Sequence, residues 1–235
     1  MSNREKLVHD ELEDCPYLKG QLARMPLRWQ LRRPTPEEFD DSLHAGDRRI
    51  GKMLYRTTCP NCTSCEPLRI PVNDFHPSRS MRRIIKKNKD IRVEIGVAQF
   101  SEEKLDLYNR HKQERNLNKR EKPMNQRGYH GWFLNSCAIT LEFRYLLEDR
   151  LVGLGIIDAG RKDTSSVYFF FDPDESARSL GTYSVLYELM WQQQRQGRFH
   201  YLGLYVEHCQ HLVYKARFLP HERRVDGVWT RFSGK

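Results

Sequence analysis

No stretch of this 235-residue chain approaches the ~20 consecutive apolar residues that a membrane span requires. Met1–Asp10 likewise lacks the apolar segment of a secretory signal, so the sequence predicts a cytoplasmic protein. Internal repeats and low-complexity tracts are missing too, which argues against solenoids and arrays. Apolar residues are sparse at 38%, yet eleven Phe, eleven Tyr and four Trp supply bulky core material, the composition of a globular chain. At this length one large domain or a compact pair buries a substantial core without help from cysteines.

Acidic residues are the minority charge. Forty Lys and Arg against thirty-one Asp and Glu leave a formal charge of +9, which favours polyanionic partners through counterion release and steering. The charge is segregated, because Glu11, Glu13 and Asp14 make the start acidic and the basic residues follow. Arg79, Arg82, Arg83, Lys86, Lys87 and Lys89 fall on a helix expected over Pro77–Asp90, with Ile84 and Ile85 pointing inward. Lys112, Arg115, Lys119, Arg120, Lys122 and Arg127 form a second group around the segment Arg115–Gly131, which reads as a long functional loop. Two such clusters close in sequence point to RNA as a partner.

Six cysteines, Cys15, Cys59, Cys62, Cys65, Cys137 and Cys209, would stay reduced in a cytoplasm, where clustering means metal or redox chemistry rather than a disulfide framework. The spacing Cys59-Pro-Asn-Cys62-Thr-Ser-Cys65 lets successive thiolates converge on one ion, with Cys15 completing a tetrahedron. Zinc and an iron–sulfur cluster are both compatible, and so is a tight turn of small buried residues around Pro60 and Asn61. Cys137 and Cys209 stand alone and read as packing residues.

The first eighty residues read as a loop-rich module, with a helix over Pro36–Ala45 capped by Thr35 and stopped at Gly46, and a short strand around Leu68–Val72. Further on, Ile91–Val97 alternates as a strand, a helix runs from Ser101 through His111, and Phe143–Glu148 with Leu151–Asp158 form a hairpin. Ser166–Phe171 and Phe199–Val206 are strands on either side of a long helix that opens at Asp172 and ends at Gly197. Cys209–Phe218 is a last short helix before Pro220. Within the long helix, Arg178-Ser179-Leu-Gly181-Thr182 follows a strand and opens helical turns whose free N–H groups attract anions.

Taken together, Asp14-Cys-Pro-Tyr-Leu18, Tyr55-Arg-Thr-Thr-Cys59 through Cys65-Glu-Pro-Leu-Arg-Ile70, Phe75-His-Pro-Ser-Arg-Ser-Met-Arg-Arg83, Phe170-Phe-Asp-Pro-Asp174, Arg178-Ser-Leu-Gly-Thr182 and Tyr214-Lys-Ala-Arg-Phe218 resemble the bacterial arginyl-tRNA protein transferase-like family, most nearly its aspartate/glutamate leucyltransferase branch. The resemblance runs from about Asp14 to Glu222. It implies an α/β (α+β) fold: an N-terminal cysteine-containing domain over residues 1–80, then an acetyltransferase-like (GNAT) domain over 81–235 with a mixed, mostly antiparallel central sheet. It also implies transfer of leucine from charged tRNA to the N-terminal amine of proteins that begin with Asp or Glu, creating an N-degron. The chain departs from the eukaryotic arginyl pattern, which pairs Cys-x-x-Cys with a later adjacent Cys-Cys.

Aminolysis of an ester is downhill, so such a reaction needs no ATP and no cofactor. Catalysis reduces to positioning, removing a proton and stabilising an oxyanion. The aminoacyl end is expected between the strands Ser166–Phe171 and Phe199–Val206. Asp172 or Glu207 would accept the amine proton, and Tyr205 or Tyr214 would donate to the leaving ribose oxygen. Arg79, Arg82, Arg83, Lys86, Lys87, Arg178, Ser179, Gly181 and Thr182 would hold tRNA. Among the cations Arg28, Arg48, Arg49, Arg56, Arg69, Arg178 and Lys215, the acceptor carboxylate is assigned to Arg56, Arg69 and Lys215, a bidentate Arg suiting it best. A pocket for arginine should contain acidic residues, with Asp158, Asp172 or Glu207 as candidates, and one for leucine should be apolar. The alternatives are arginyl transfer by the same mechanism, an acyl-CoA-dependent N-acetyltransferase, whose pyrophosphate loop carries more glycines than the single Gly181, and a metal-bearing RNA-binding module.

Overall fold

The computed structural model describes residues 4–117 and 122–234; Lys119 and Arg120 of the second basic group lie outside them. The first part of the chain contains β1 (Glu5–His9), β2 (Leu12–Asp14), β3 (Leu22–Arg24), β4 (Leu27–Gln30), α1 (Pro36–His44), β5 (Arg48–Ile50) and β6 (Met53–Tyr55). Among the described residues, β1, β4, β6 and β5 form a small antiparallel sheet in that order, and β2 pairs with β3. The expected loop-rich module therefore carries strands that its sequence does not announce. Strands of three to five residues are too short to show a period of two. Side chains hold them instead: Arg28 bridges Glu5 of β1 and Asp47 ahead of β5 at 2.8 and 2.6 Å.

Helix α1 begins as the sequence predicts. The Thr35 hydroxyl accepts from the Glu38 N–H and the Glu38 carboxylate accepts from the Thr35 N–H, a capping box that satisfies two otherwise orphaned donors. Its buried Asp40 accepts from the N–H groups of Lys162 and Asp163 at 2.9 and 3.2 Å. That ties the first segment to a distant turn.

The remaining elements are β7 (Glu66–Pro71), α2 (Arg79–Lys87), β8 (Ile91–Val97), α3 (Glu102–Glu114), α4 (Gln126–Tyr129), β9 (Ile139–Leu147), β10 (Arg150–Ala159), β11 (Thr164–Phe171), α5 (Leu180–Gln194), β12 (Phe199–Tyr205), β13 (His221–Val225) and β14 (Val228–Phe232). They build a sheet in the order β14-β13-β7-β12-β11-β10-β9-β8. Every neighbouring pair is antiparallel except β11 with β12, which is parallel, matching the mixed and mostly antiparallel sheet that the resemblance implies. Strand β7 comes from residues 1–80 and pairs with both β12 and β13.

Helices cover both faces. On one, Leu180, Tyr183, Leu186 and Leu189 of α5 pack with α2 and the sheet. On the other, Leu105 and Tyr108 of α3 pack with Tyr129, Phe133, Leu154 and Phe170. Apolar burial of this kind contributes ~25 cal/mol per Å² and decides which side each strand presents.

Four expectations change in the structure. The long helix from Asp172 is a 3₁₀ segment, Pro173–Arg178, followed by α5, and the two are separated at Ser179, whose φ of +57° is left-handed. Cys209–Phe218 reduces to a 3₁₀ turn at Val213–Arg217. The segment Arg115–Gly131 includes α4 and the start of a π-helical turn, His130–Leu134. There the Asn125 side chain caps α4 at the Gly128 N–H and Asn109 fastens the Met124 backbone in both directions, at 2.8 and 2.9 Å. The hairpin of β13 and β14 is an element that the sequence does not announce. Among the described residues no helix is long and apolar enough to cross a membrane.

Candidate active site

Strands β11 and β12 pair only through Thr164 with His200 and Ser165 with Tyr201. Beyond Ser165 they part, and β12 continues along β7 through a bulge between Tyr201 and Gly203. A parallel pair that separates leaves backbone donors and acceptors of both strands facing a gap, which suits an extended ligand. Gly203 is favoured there by its left-handed backbone, and a side chain would also displace its neighbour. Its φ is +84°, and a Cβ would overlap the guanidinium of Arg48, which lies on its backbone.

A cavity of about 640 Å³ opens between the small sheet and β11. Met25, Leu27, Met53, Phe133 and Val167 supply apolar wall, and Tyr17, Tyr55 and Tyr168 add phenols. Exposed Glu11 and Glu13 complete the lining, together with two arginines, Arg48 and Arg49. Each guanidinium keeps one buried nitrogen without a hydrogen-bond partner among the described residues, Nη1 of Arg48 and Nη2 of Arg49, but the two differ in their other contacts. Arg49 donates from Nε to buried Asp158 at 2.5 Å and from Nη1 to the Trp132 carbonyl at 3.2 Å. Arg48 is half-buried, and its Nη1 is buried without a hydrogen-bond partner among the described residues. A buried donor left unpaired costs ~1–3 kcal/mol.

The expected catalytic residues scatter around this cavity. Asp172 is buried and held by Arg110 at 3.0 Å and by Arg150, and it lines a separate cavity of about 470 Å³. Glu207 is exposed just after β12. Tyr205 belongs to the α5-side core, with the Arg223 guanidinium 4.5 Å from its ring centre. Tyr214 keeps 41% of its surface exposed. Burial of its hydroxyl, then the nearby Glu188, raises its pKa, while Arg217, Arg115 and Arg48 oppose that rise.

Of the expected acceptor-binding cations, Arg56 is paired with Asp47 at 2.7 Å. Arg69 is paired with Glu222 at 2.7 Å and sandwiched between Phe199 and Trp229, 3.7 and 4.0 Å from their ring centres. Lys215 is buried, donates to the Leu204 carbonyl at 2.7 Å, and has its pKa pulled down to about 7 by burial and by Arg48. Arg48 is the better-placed cation. Its signal in the sequence is indirect, a glycine at position 203 that only the fold brings opposite.

The expected tRNA residues lie side by side. Lys87 donates to the Ala177 carbonyl at 2.5 Å and Asn88 to the Arg178 carbonyl at 2.9 Å, which sets α2 beside the start of α5. Arg178 is paired with Asp90 and Glu175, at 3.0 and 2.8 Å. The Thr182 hydroxyl accepts from Arg217. Ser179 is exposed, and no side chain crowds Gly181. Arg82 donates to the Pro77 carbonyl, while Arg79, Arg83 and Lys86 are exposed and have no ion-pair partner among the described residues.

Burial and the neighbouring Cys15, Cys59 and Cys62 push the Cys65 thiol up to about 12. Thiolate chemistry at these positions suits a thiophilic ion. Electrostatic reach is longer than a metal–sulfur bond, however. Among the described residues no three His, Cys, Asp or Glu side chains converge as a ligand set.

Residues 13–83 match the family model described as arginine-tRNA-protein transferase, N terminus, and residues 103–225 match the model for its C terminus. An aspartate/glutamate leucyltransferase of Saccharophagus degradans is 35% identical over 189 residues, covering 80% of each chain. One from Pseudomonas aeruginosa is 34% identical over 231 residues, covering 98% of each. Among solved structures, the GCN5-related glucosamine N-acetyltransferase region of a fungal multi-domain GH3 β-N-acetylglucosaminidase superposes with a TM-score of 0.41 at 12% identity, covering 71% of this chain and 20% of that one.

Proposed function

The chain belongs to the arginine-tRNA-protein transferase family, and from that premise we propose that it transfers leucine from charged tRNA to the N-terminal amine of proteins beginning with Asp or Glu. Relatives covering most of the chain are named aspartate/glutamate leucyltransferases. The observation that carries the reading to this molecule is the cavity beside the β11–β12 gap, with its apolar wall and the unpartnered Nη1 of Arg48. Apolar walls suit a leucyl side chain. Asp158 is consumed by Arg49 and Thr140, and Asp172 by Arg110 and Arg150. Glu207 does not line the cavity, although exposed Glu11 and Glu13 do, so the leucine reading rests on the apolar wall and on the relatives.

In this reading Arg48 receives the acceptor's acidic side chain as a charge-assisted pair. The acceptor amine, with a reference pKa of about 7.7–8.0, is already partly neutral and attacks the ester carbonyl held in the gap. Tyr214, beside Arg48, donates to the leaving ribose oxygen. Cys15, Cys59, Cys62 and Cys65 do not converge as a ligand set among the described residues, and no step of transfer is routed through a metal there.

Asp-, Glu- and Lys-starting peptides offered with radiolabelled Leu-tRNA and Arg-tRNA in parallel test this. Leucine should appear on the Asp and Glu peptides only. Equal labelling of Lys peptides, or label from Arg-tRNA alone, refutes it.

The tRNA body would lie along α2 and lead its acceptor end past Ser179 and Thr182 toward Tyr214. Replacing Arg79, Arg83 and Lys86 together by Ala should weaken tRNA binding. It should also reduce the slope of log K against log salt by roughly 1 for each phosphate no longer neutralised. Filter binding over a salt series reads this, and an unchanged slope removes α2 from the interface.

A further inference from the structure

The buried carboxylates among the described residues are, with one exception, met by an arginine or lysine or by backbone N–H groups. Asp158 has Arg49, Glu142 has Lys104, Asp163 has Arg198, and Asp40 has the N–H groups of Lys162 and Asp163. The exception is Glu188 of α5, 1% exposed, whose ion-pair partner among the described residues is a fully buried histidine, His200, at 2.9 Å. Desolvation disfavours a lone buried carboxylate, and a histidine compensates it only while carrying a proton. One hydrogen bond, and so one proton, lies between them.

Its surroundings connect that proton to the gap. Ser184 donates to Glu188 Oε1 at 3.1 Å, and Thr164 Oγ1 lies 2.8 Å from His200 Nδ1. Glu188 Oε2 accepts from the hydroxyl of Ser166, which also lies 3.3 Å from His200 Nε2. Ser166 is the first residue of β11 beyond the last pairing with β12, and unlike the rest of the network it is only half-buried. The titratable groups facing Glu188 are His200 from β12, Tyr145 from β9 and Tyr214 from the turn after β12.

We infer that Ser166, Glu188 and His200 form the proton relay of aminoacyl transfer, with the Ser166 hydroxyl touching the acceptor amine at the point where β11 and β12 part. The inference rests on the reading that this chain is a leucyltransferase and adds to it the group that takes the proton. The neutral amine forms the new C–N bond as the ester C–O bond breaks. The amine proton passes to Ser166 Oγ while the Ser166 proton passes to Glu188 Oε2. Tyr214, 41% exposed, protonates the departing ribose oxygen and is reprotonated from solvent, while Glu188 returns its proton to solvent through the Ser166 hydroxyl, so the network ends as it began. Ser166 is the catalytic residue, whereas His200 is a positioning residue that orients Glu188.

Single-turnover transfer of leucine to an Asp-starting peptide, with tRNA and peptide both saturating, tests the relay in Ser166→Ala, Glu188→Gln and Glu188→Asp. Loss of a general base costs ~10²–10⁴-fold. Glu188→Gln should fall in that range, Ser166→Ala less far, and Glu188→Asp should recover part of the rate. The profile should also change shape. Wild-type transfer should level off once the amine, with a reference pKa of about 7.7–8.0, is neutral, while Glu188→Gln should keep climbing as hydroxide substitutes for the base. If Glu188→Gln does not fold, the half-exposed Ser166→Ala carries the test alone. Variants that transfer within threefold of wild type, or profiles lowered without a change of shape, overturn the relay and leave the function standing. A wild-type protein that transfers no leucine overturns both.

Discussion

Arg48→Ala is expected to lower kcat/KM for an Asp-starting peptide by about 30- to 1,000-fold while leaving the melting temperature unchanged or slightly raised. The kinetic loss follows from removing one member of a buried, hydrogen-bonded charge pair, which costs about 2–4 kcal/mol. The stability expectation follows from the free protein, where Arg48 Nη1 is buried without a partner. Truncation there removes an unsatisfied donor. Transfer to an Asn-starting peptide, slow in wild type, should be nearly insensitive to the substitution. Arg48→Lys should recover only part of the loss, since an ammonium cannot reproduce a bidentate fork. The measurement is kcat/KM for the Asp and Asn peptides on both proteins. If Arg48→Ala slows both peptides by the same factor, Arg48 does not read the acceptor's carboxylate.

Asp158→Ala should destabilise the protein by about 3–5 kcal/mol, the cost of leaving a buried charge without its partner. Arg49 and Asp158 side chains are both 1% exposed and meet at 2.5 Å, and Asp158 also accepts from Thr140 at 2.6 Å. Against a total stability of about 5–15 kcal/mol for an ordinary domain, that is a large share. The melting temperature should drop by roughly 6–20 °C, at 2–4 °C per kcal/mol for a chain of this size. The double variant Arg49→Met/Asp158→Leu should recover much of the loss, because an apolar pair leaves no buried charge. Urea denaturation of wild type and both variants measures this, and a single variant within about 1 kcal/mol of wild type rejects it. The consequence reaches function through geometry. Arg49 anchors β5 to β10 and to the Trp132 carbonyl, and Arg48 is its neighbour in the same strand. The destabilised variant should therefore lose acceptor selectivity before it loses its fold.

These two arginines also show how far the sequence can be read. Arg48 and Arg49 both stand among the candidate cations, but adjacent residues of one type are indistinguishable until it is known that Asp158 lies opposite one and Gly203 beneath the other. Arg69 looks available as a fork for carboxylate, and the fold commits it to Glu222 and two aromatic faces. Asp172 stands out beside Pro173 in a motif, yet Arg110 and Arg150 hold it in a separate cavity. Glu188 and His200 carry no comparable signal. A lone glutamate among Leu186, Tyr187, Leu189 and Met190 reads as the wet edge of an amphipathic helix, whereas α5 is buried around most of its circumference.

The sequence by itself determined the family, through ordered motifs, and the elements whose signals are local: the capped start of α1, the basic α2, the β9–β10 hairpin and the alternation of β8. Those signals depend on neighbours a few residues apart, where side-chain period and capping chemistry act. Tertiary structure alone decided where β11 and β12 part, which guanidinium lies on the Gly203 backbone beside the cavity, and that a carboxylate from α5 meets a histidine from β12. Each of these is a balance of charge and burial between residues far apart in the chain. The sign of such a balance depends on what lies within a few ångströms, which no spacing along the sequence records.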